Sequence, residues 1–226
     1  MSQACRGHHH RAAFVSASMQ KSVFTIGHST HTQESFIALL RQHRITALGD
    51  VRSTPYSRAN PQFNREVLRK VLRRCGIVYV FLGKELGGQS EDPACYEHGK
   101  VRYDRLARTE LFRHGLERVQ EGMKKYRLAL MCAEKEPLEC HRTILVARHL
   151  AALGLDVEHI HVDGRLESHA AAVSRLARLL SLPEDDMFRS REELLADAYH
   201  RQEERIAYES GPVVAEDGAA VRSAAE

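Results

Sequence analysis

The chain has 226 residues, 43% hydrophobic and 28% charged, with a formal net charge of +3 when His is neutral. It is long enough to bury one sizeable core, too mildly basic to imply nucleic acid on charge alone, and has no apolar run approaching the roughly 20 residues of a membrane span. Its five cysteines, Cys5, Cys75, Cys95, Cys132 and Cys140, are odd in number and widely spaced, which is not the pattern of a disulfide framework and sets the expectation of a reducing, cytoplasmic location.

Residues 1–20 contain the run His8–His10 but no apolar h-region, so a signal peptide is not expected. They read as a disordered extension or a mis-called start, with Met19 opening the more ordinary "MQKSVFTIG". "SVFTIG" (22–27) then reads as a short buried strand, and "ESFIALLRQH" carries Phe36, Leu39 and Leu40 at helical spacing. "ITALGDV" (45–51) is a second strand, apolar nearly throughout, as a parallel strand covered on both faces must be. A loop punctuated by Pro55 and Pro61 leads to an amphipathic helix with Val67, Leu68, Val71, Leu72 and Cys75 on one face and Gly76 at its end.

"IVYVFL" (77–82) is a third strand, and "GKELGGQSEDPACYEHGKVRY" a long loop with four glycines. Residues 104–126 read as one long helix with Leu111, Phe112, Leu116, Val119 and Met123 inward. "RLALMC" is a fourth strand, 142–153 a helix ended by Gly154, "DVEHIHVDG" a fifth strand and "SRLARLLSL" a short helix. Residues 190–209 read as an exposed helix and the last residues as a disordered tail.

The alternation predicts an α/β fold: a mostly parallel sheet of about five strands flanked by helices, in one domain over 21–182, preceded by the extension 1–20 and followed by a charged helical extension and tail over 183–226. Ligands of such sheets bind beyond the carboxyl ends of the strands. Three polar clusters fall there: Gly27, His28 and Ser29 after the first strand; Asp50, Arg52, Ser53, Ser57 and Arg58 after the second; and Cys132, Glu134, Cys140, His141 and Arg142 after the fourth. Asp50 and Arg52 flank Val51, so strand alternation sends both to one side as an ion pair or a ligand clamp. Cys140, His141 and Arg142 stand at a helix start, where free N–H groups favour an anion or a thiolate. The alternative is that Arg142 pairs with Glu134, Glu136 or Glu139.

The motifs "TIGHST", "DVRSTPYSR", "YVFLGKELGG", "ALMCAEKEPLECHR" and "HIHVDG", in that order from about Val23 to Gly164, resemble the bacterial domain-of-unknown-function family 488. The resemblance implies a shared site at Gly27, His28, Ser29, Asp50, Arg52, Pro55, Ser57, Arg58, Gly87, Gly88, Cys132, Glu134, Cys140, His141 and Arg142; the family brings no settled activity with it. A weaker architectural similarity is to rhodanese and cysteine-phosphatase domains, whose thiolate lies in a five-residue loop closed by Arg. Here nine residues, three of them Glu and none Gly, separate Cys132 from Arg142, which is wrong for a tight anion cradle.

Three functions follow as expectations. The first is a thiol-dependent enzyme on a small anionic ligand, with Cys132, Cys140, His141 and His28 as catalytic candidates and Gly27, Ser29, Asp50, Arg52, Ser53, Ser57, Arg58, Glu134 and Arg142 as ligand-binding ones. The second is zinc or iron binding through Cys132, Cys140 and His141, joined by His28 or Glu134. The third is nucleic-acid binding through the basic face Arg65, Arg69, Lys70, Arg73 and Arg74. No membrane partner is expected.

Overall fold

The computed structural model describes residues 22–183 and 186–209. The expected N-terminal extension, with its His run and Cys5, and the tail from 210 onward lie outside the described residues.

β1 (Ser22–Gly27) leads into α1 (Gln33–Gln42), whose start is fixed by the Thr32 hydroxyl accepting the Ser35 N–H at 3.2 Å. β2 (Ala47–Asp50), α2 (Arg65–Arg74) and β3 (Val78–Phe81) follow. On α2 the buried stripe is narrower than expected: Leu68 and Leu72 are buried, Val71 and Cys75 half-buried, and Val67 faces solvent. The segment expected as a long loop contains one helical turn, α3 (Gly83–Leu86), and a hairpin of β4 (Tyr96–Glu97) and β5 (Lys100–Val101).

The long helix expected over 104–126 is two helices, α4 (Tyr103–Ala107) and α5 (Glu110–Met123). Thr109 divides them: its backbone is extended and its hydroxyl accepts the Phe112 N–H at 3.1 Å. Leu111, expected inward, is 52% exposed, while Phe112, Leu116, Val119 and Met123 are buried as read. β6 (Leu128–Cys132) is followed by a π-helical segment, Arg142–Ala147, that runs on into α6 (Arg148–Ala152). Then come β7 (Asp156–Ile160), β8 (Leu166–Ser168), α7 (His169–Leu179) and α8 (Arg191–Ile206).

The main sheet has the order β3-β2-β6-β1-β7-β8, with the first five strands parallel and β8 antiparallel to β7. β8 is the strand beyond the five expected; three residues, none of them buried, carry no period to read. Strand alternation divides the core into two layers. Phe24, Ile26, Leu48, Ala129 and Met131 face α1 and α2 with Phe63, whereas Val23, Ala47, Leu128, Leu130 and Cys132 face α5, the π-helical segment and α7. The helix expected to be exposed over 190–209 packs onto this second layer through Leu194, Ala198 and Tyr199. It also buries Gln202, which donates to Leu138 O at 2.9 Å, and Glu203, which accepts the Tyr103 N–H at 2.9 Å.

Candidate functional site

At the carboxyl edge of the sheet the chain encloses a cleft of about 620 Å³. Its walls come from the ends of β1, β2 and β6, from Gly88 and Gln89 after α3, from Tyr103, and from Ile206 and Tyr208 at the end of α8. Of the residues singled out in the sequence, His28, Ser29, Arg52, Ser53, Ser57, Cys132, Glu134, Cys140 and His141 line it. Gly27, Asp50 and Arg142 are buried behind that lining, and Arg58 is exposed outside it.

One wall follows from parity along the strands. His28 continues the Phe24–Ile26 face, and Asp50 and Arg52 the Leu48 face, so all three lie on the side of α1 and α2. Arg52 donates through Nε to Asp50 Oδ1 at 2.9 Å and through Nη2 to Asp50 Oδ2 at 2.6 Å, a two-pronged buried pair. Nη2 also donates to Phe63 O at 2.9 Å, Nη1 donates to His28 Nε2 at 3.1 Å, and Tyr79 OH donates to Asp50 Oδ2 at 2.8 Å. The ion-pair reading of Asp50 and Arg52 is what the fold shows: the carboxylate anchors a guanidinium that lines the cleft.

His28 completes that wall. Its Nδ1–H donates to Ser29 O at 2.8 Å, and its ring stacks on Phe63 with centroids 4.4 Å apart. Burial lowers its pKa to about 4, with Arg52 adding to the shift against the pull of the Ser29 carbonyl. The ring is thus a neutral hydrogen-bond acceptor at neutral pH. Ser29 takes a left-handed backbone, φ 46°, while the His28 and Ser29 N–H groups donate to Cys132 O and Ala133 O, both at 2.9 Å. The first and third sequence clusters are so stitched together.

The opposite wall holds the sulfur. Cys132 follows Leu128 and Leu130 onto the second face, directly beside Gly27 in the ladder. The thiols of Cys132 and Cys140 both donate to Glu134 Oε2, each at 3.0 Å. His141 Nδ1 stands 3.6 Å from Cys132 Sγ and 3.9 Å from Cys140 Sγ, and its Nε2–H donates to Val51 O at 3.0 Å. The Arg142 N–H donates to Cys140 Sγ at 3.4 Å. The Arg142 guanidinium donates to Glu134 O at 2.8 Å and Lys135 O at 3.4 Å, and so braces the loop from beneath. Among the described residues no carboxylate pairs with Arg142: Glu136 pairs with Arg175 at 2.8 Å, and Glu139 faces Arg205 at 3.9 Å.

Burial and then the neighbouring Cys140 push the Cys132 thiol well up. Burial also opposes ionisation of Cys140, but the Cys132 hydrogen bond, the Arg142 charge and His141 outweigh it and hold that thiol well below its ordinary range. Burial disfavours charge on His141, and the bond and charge of Cys140 overcome it, raising its pKa. Burial and Cys140 raise Glu134. Burial thus holds the proton on Cys132, and the cationic neighbours make Cys140 the more readily ionised of the two thiols.

Sequence reasoning placed neither Tyr103 nor Tyr208 in the site. Tyr103 is buried, lines the cleft, and is pushed up first by burial and then by Cys140. Its signal was a lone aromatic at the end of a segment read as loop. His28, weighed as a metal ligand, turns its Nε2 to Arg52, whereas Cys132, Cys140 and His141 bring donor atoms within 4.8 Å of one another. On the basic face of α2, Arg65 packs over the Phe81 ring at 4.7 Å and Arg69 lies 3.9 Å from Glu66.

The family model described as Domain of unknown function DUF488 matches residues 32–149, just over half of the chain. The matched span is narrower than the resemblance read from the motifs: it holds the Asp50–Arg58 and Cys132–Arg142 clusters, while Gly27, His28 and Ser29 precede it. No curated protein and no solved structure matches the chain, so the rhodanese and cysteine-phosphatase likeness finds no support there. Among the described residues no helix is long and apolar enough to cross a membrane.

Proposed function

The chain belongs to the DUF488 family, and we propose that it is a thiol-dependent enzyme acting on a small anionic ligand held in the strand-end cleft. One observation carries the reading: two sulfurs share a single carboxylate oxygen, Glu134 Oε2, with an imidazole nitrogen beside them, at the wall of a cleft faced by Arg52. Sulfur, carboxylate and imidazole together supply a reacting centre with its own proton acceptor. Across from it, Arg52 has four of its five N–H groups bonded, leaving one Nη1–H without a partner among the described residues. That donor, with the hydroxyls of Ser29, Ser53 and Ser57, forms the polar wall an anionic group would meet. The cleft volume of about 620 Å³ suits a ligand of metabolite size.

Alkylation tests this. In chelator-treated full-length protein, iodoacetamide at neutral pH should label Cys132 or Cys140, mapped by mass spectrometry, while Cys95, buried away from the cleft, stays unlabelled until the chain is unfolded. Phosphate, sulfate or a small carboxylate should slow that labelling severalfold by filling the cleft. Neither thiol reacting before unfolding, or labelling indifferent to every anion, overturns the proposal.

A further inference from the structure

We infer that Cys132, Cys140 and His141 together hold one zinc ion whose fourth position opens into the cleft beside Glu134. This deepens the thiol-dependent reading and rests on it: it says what the thiols do, which is ligate.

Distance is the first argument. Zinc bonds sulfur at about 2.3 Å and imidazole nitrogen at about 2.0–2.1 Å in tetrahedral array, which puts sulfur and nitrogen roughly 3.5 Å apart. His141 Nδ1 lies 3.6 Å and 3.9 Å from the two sulfurs, and all three donor atoms lie within 4.8 Å of one another. The nitrogen stands within a few tenths of an ångström of the spacing an ion needs from each sulfur, and the sulfurs close to about 3.8 Å from each other when the ion enters.

The surrounding groups are arranged for it. His141 commits its Nε2–H to Val51 O at 3.0 Å, which leaves the Nδ1 lone pair aimed at the sulfurs; a second-shell bond of this kind fixes the tautomer of a metal-bound imidazole. Gly88 packs on the face of that ring, where a Cβ would come 3.0 Å from His141 Cγ. The Arg142 N–H already donates to Cys140 Sγ. Charge closes as well: two thiolates and the Glu134 carboxylate against a divalent ion and the buried Arg142 sum to zero. Without the ion, ionising both thiols would set two adjacent negative charges against Arg142 alone, so they keep their protons and donate to Glu134.

Glu134 Oε2, 3.0 Å from both sulfurs, is closer to them than a fourth ligand across a tetrahedron would be. It is therefore placed as a neighbour of the fourth position, able to take a proton from water bound there. Three protein ligands and one open position is the pattern of a catalytic zinc site, and an open position on a cation gives the cleft its preference for anionic oxygen. On binding, both sulfurs become thiolates and Nδ1 is left unprotonated, so the two protons held by the cluster pass to solvent.

The test uses the full chain, made without an affinity tag and with His8, His9 and His10 replaced by Ala to remove competing ligands. Elemental analysis after equimolar zinc and desalting should give about one zinc per chain. Cobalt in its place should give intense visible bands and near-ultraviolet sulfur-to-cobalt charge transfer. Cys132→Ser, Cys140→Ser and His141→Gln should each weaken binding by about tenfold or more, with circular dichroism confirming a folded chain. Glu134→Gln should keep the ion; its loss would overturn the open fourth position. A parent protein that takes up neither metal, or that carries a Cys132–Cys140 disulfide when purified under reducing conditions, overturns the inference. If metal fails but anion-sensitive alkylation persists, the thiol-dependent reading survives; if both fail, both fall.

Discussion

His159 Nε2 and His169 Nδ1 meet at 3.2 Å inside the protein, so one of the two must donate a proton and the other accept it. The chain of bonds continues at either end, through His159 Nδ1 to Thr25 Oγ1 at 2.7 Å and through His169 Nε2 to Tyr199 OH at 2.8 Å. It ties β1, β7, α7 and α8 together, and each ring takes part as a neutral imidazole with one N–H and one lone pair. Burial lowers His169 to about 4, and burial followed by the charges of His169, Arg142, His161 and Arg175 holds His159 well below its ordinary value.

Acid should therefore loosen the docking of α8. Both histidines have folded pKa values below the roughly 6.5 of the unfolded chain, so between those values the unfolded chain binds more protons. Stability is full above about pH 6.5 and declines as pH falls toward about 4, by roughly 3 kcal/mol for a shift the size of that at His169. Urea unfolding at pH 7.5 and at pH 5 should show the drop. Histidine NMR titration should find neither ring titrating near 6.5, and a normal titration at His169 would contradict the account.

The Asp50–Arg52 pair makes a second prediction. With both side chains buried and two hydrogen bonds between them, Asp50→Ala strands a guanidinium and should cost about 3–5 kcal/mol in chemical denaturation. Tyr79→Phe, which deletes only the hydroxyl bonded to Asp50 Oδ2, should cost about 1 kcal/mol. Removing Asp50 and Arg52 together should cost less than the sum of the single changes, because the stranded charge is gone; strict additivity would mean the pair is not coupled.

Much of this arrangement was legible because parallel strands buried on both faces must be apolar, and their ends then show as abrupt polar clusters. "GHS", "DVRSTPYSR" and "MCAEKEPLECHR" were readable on that ground alone. What could not be read depends on partners far away in sequence. Glu203 is buried against Tyr103 N, 100 residues earlier, and Gln202 against Leu138 O, 64 residues earlier; without those partners α8 reads as a solvated helix. For Arg142 the sequence offers a carboxylate partner in Glu134, Glu136 or Glu139, whereas its guanidinium donates to the backbone carbonyls of Glu134 and Lys135, a role that side-chain pairing rules do not foresee. The break at Thr109 was available in principle, since a Thr before Glu110 is an ordinary cap, but the unbroken apolar period across it masked the signal.

Gly27 supplies the last prediction. It is paired with Cys132 in the ladder, and a Cβ there would sit 1.8 Å from Glu134 O, the carbonyl that receives Arg142 Nη1. Backbone cannot yield as a flexible side chain does, so Gly27→Ala should expel the 133–136 loop and swing the Glu134 carboxylate off the two sulfurs. Gly76→Ala is the contrast: its φ of +73° strains any side chain, but nothing lies within 4 Å, so it should cost about 1 kcal/mol and leave the cleft alone. Iodoacetamide labelling of Cys132 and Cys140, measured beside the unfolding midpoint, separates the two. The Gly27 variant should change the labelling rate severalfold at a temperature where it remains folded, and the Gly76 variant should not. Equal labelling in both would mean that the loop tolerates the methyl group and that Gly27 does not set the position of Glu134.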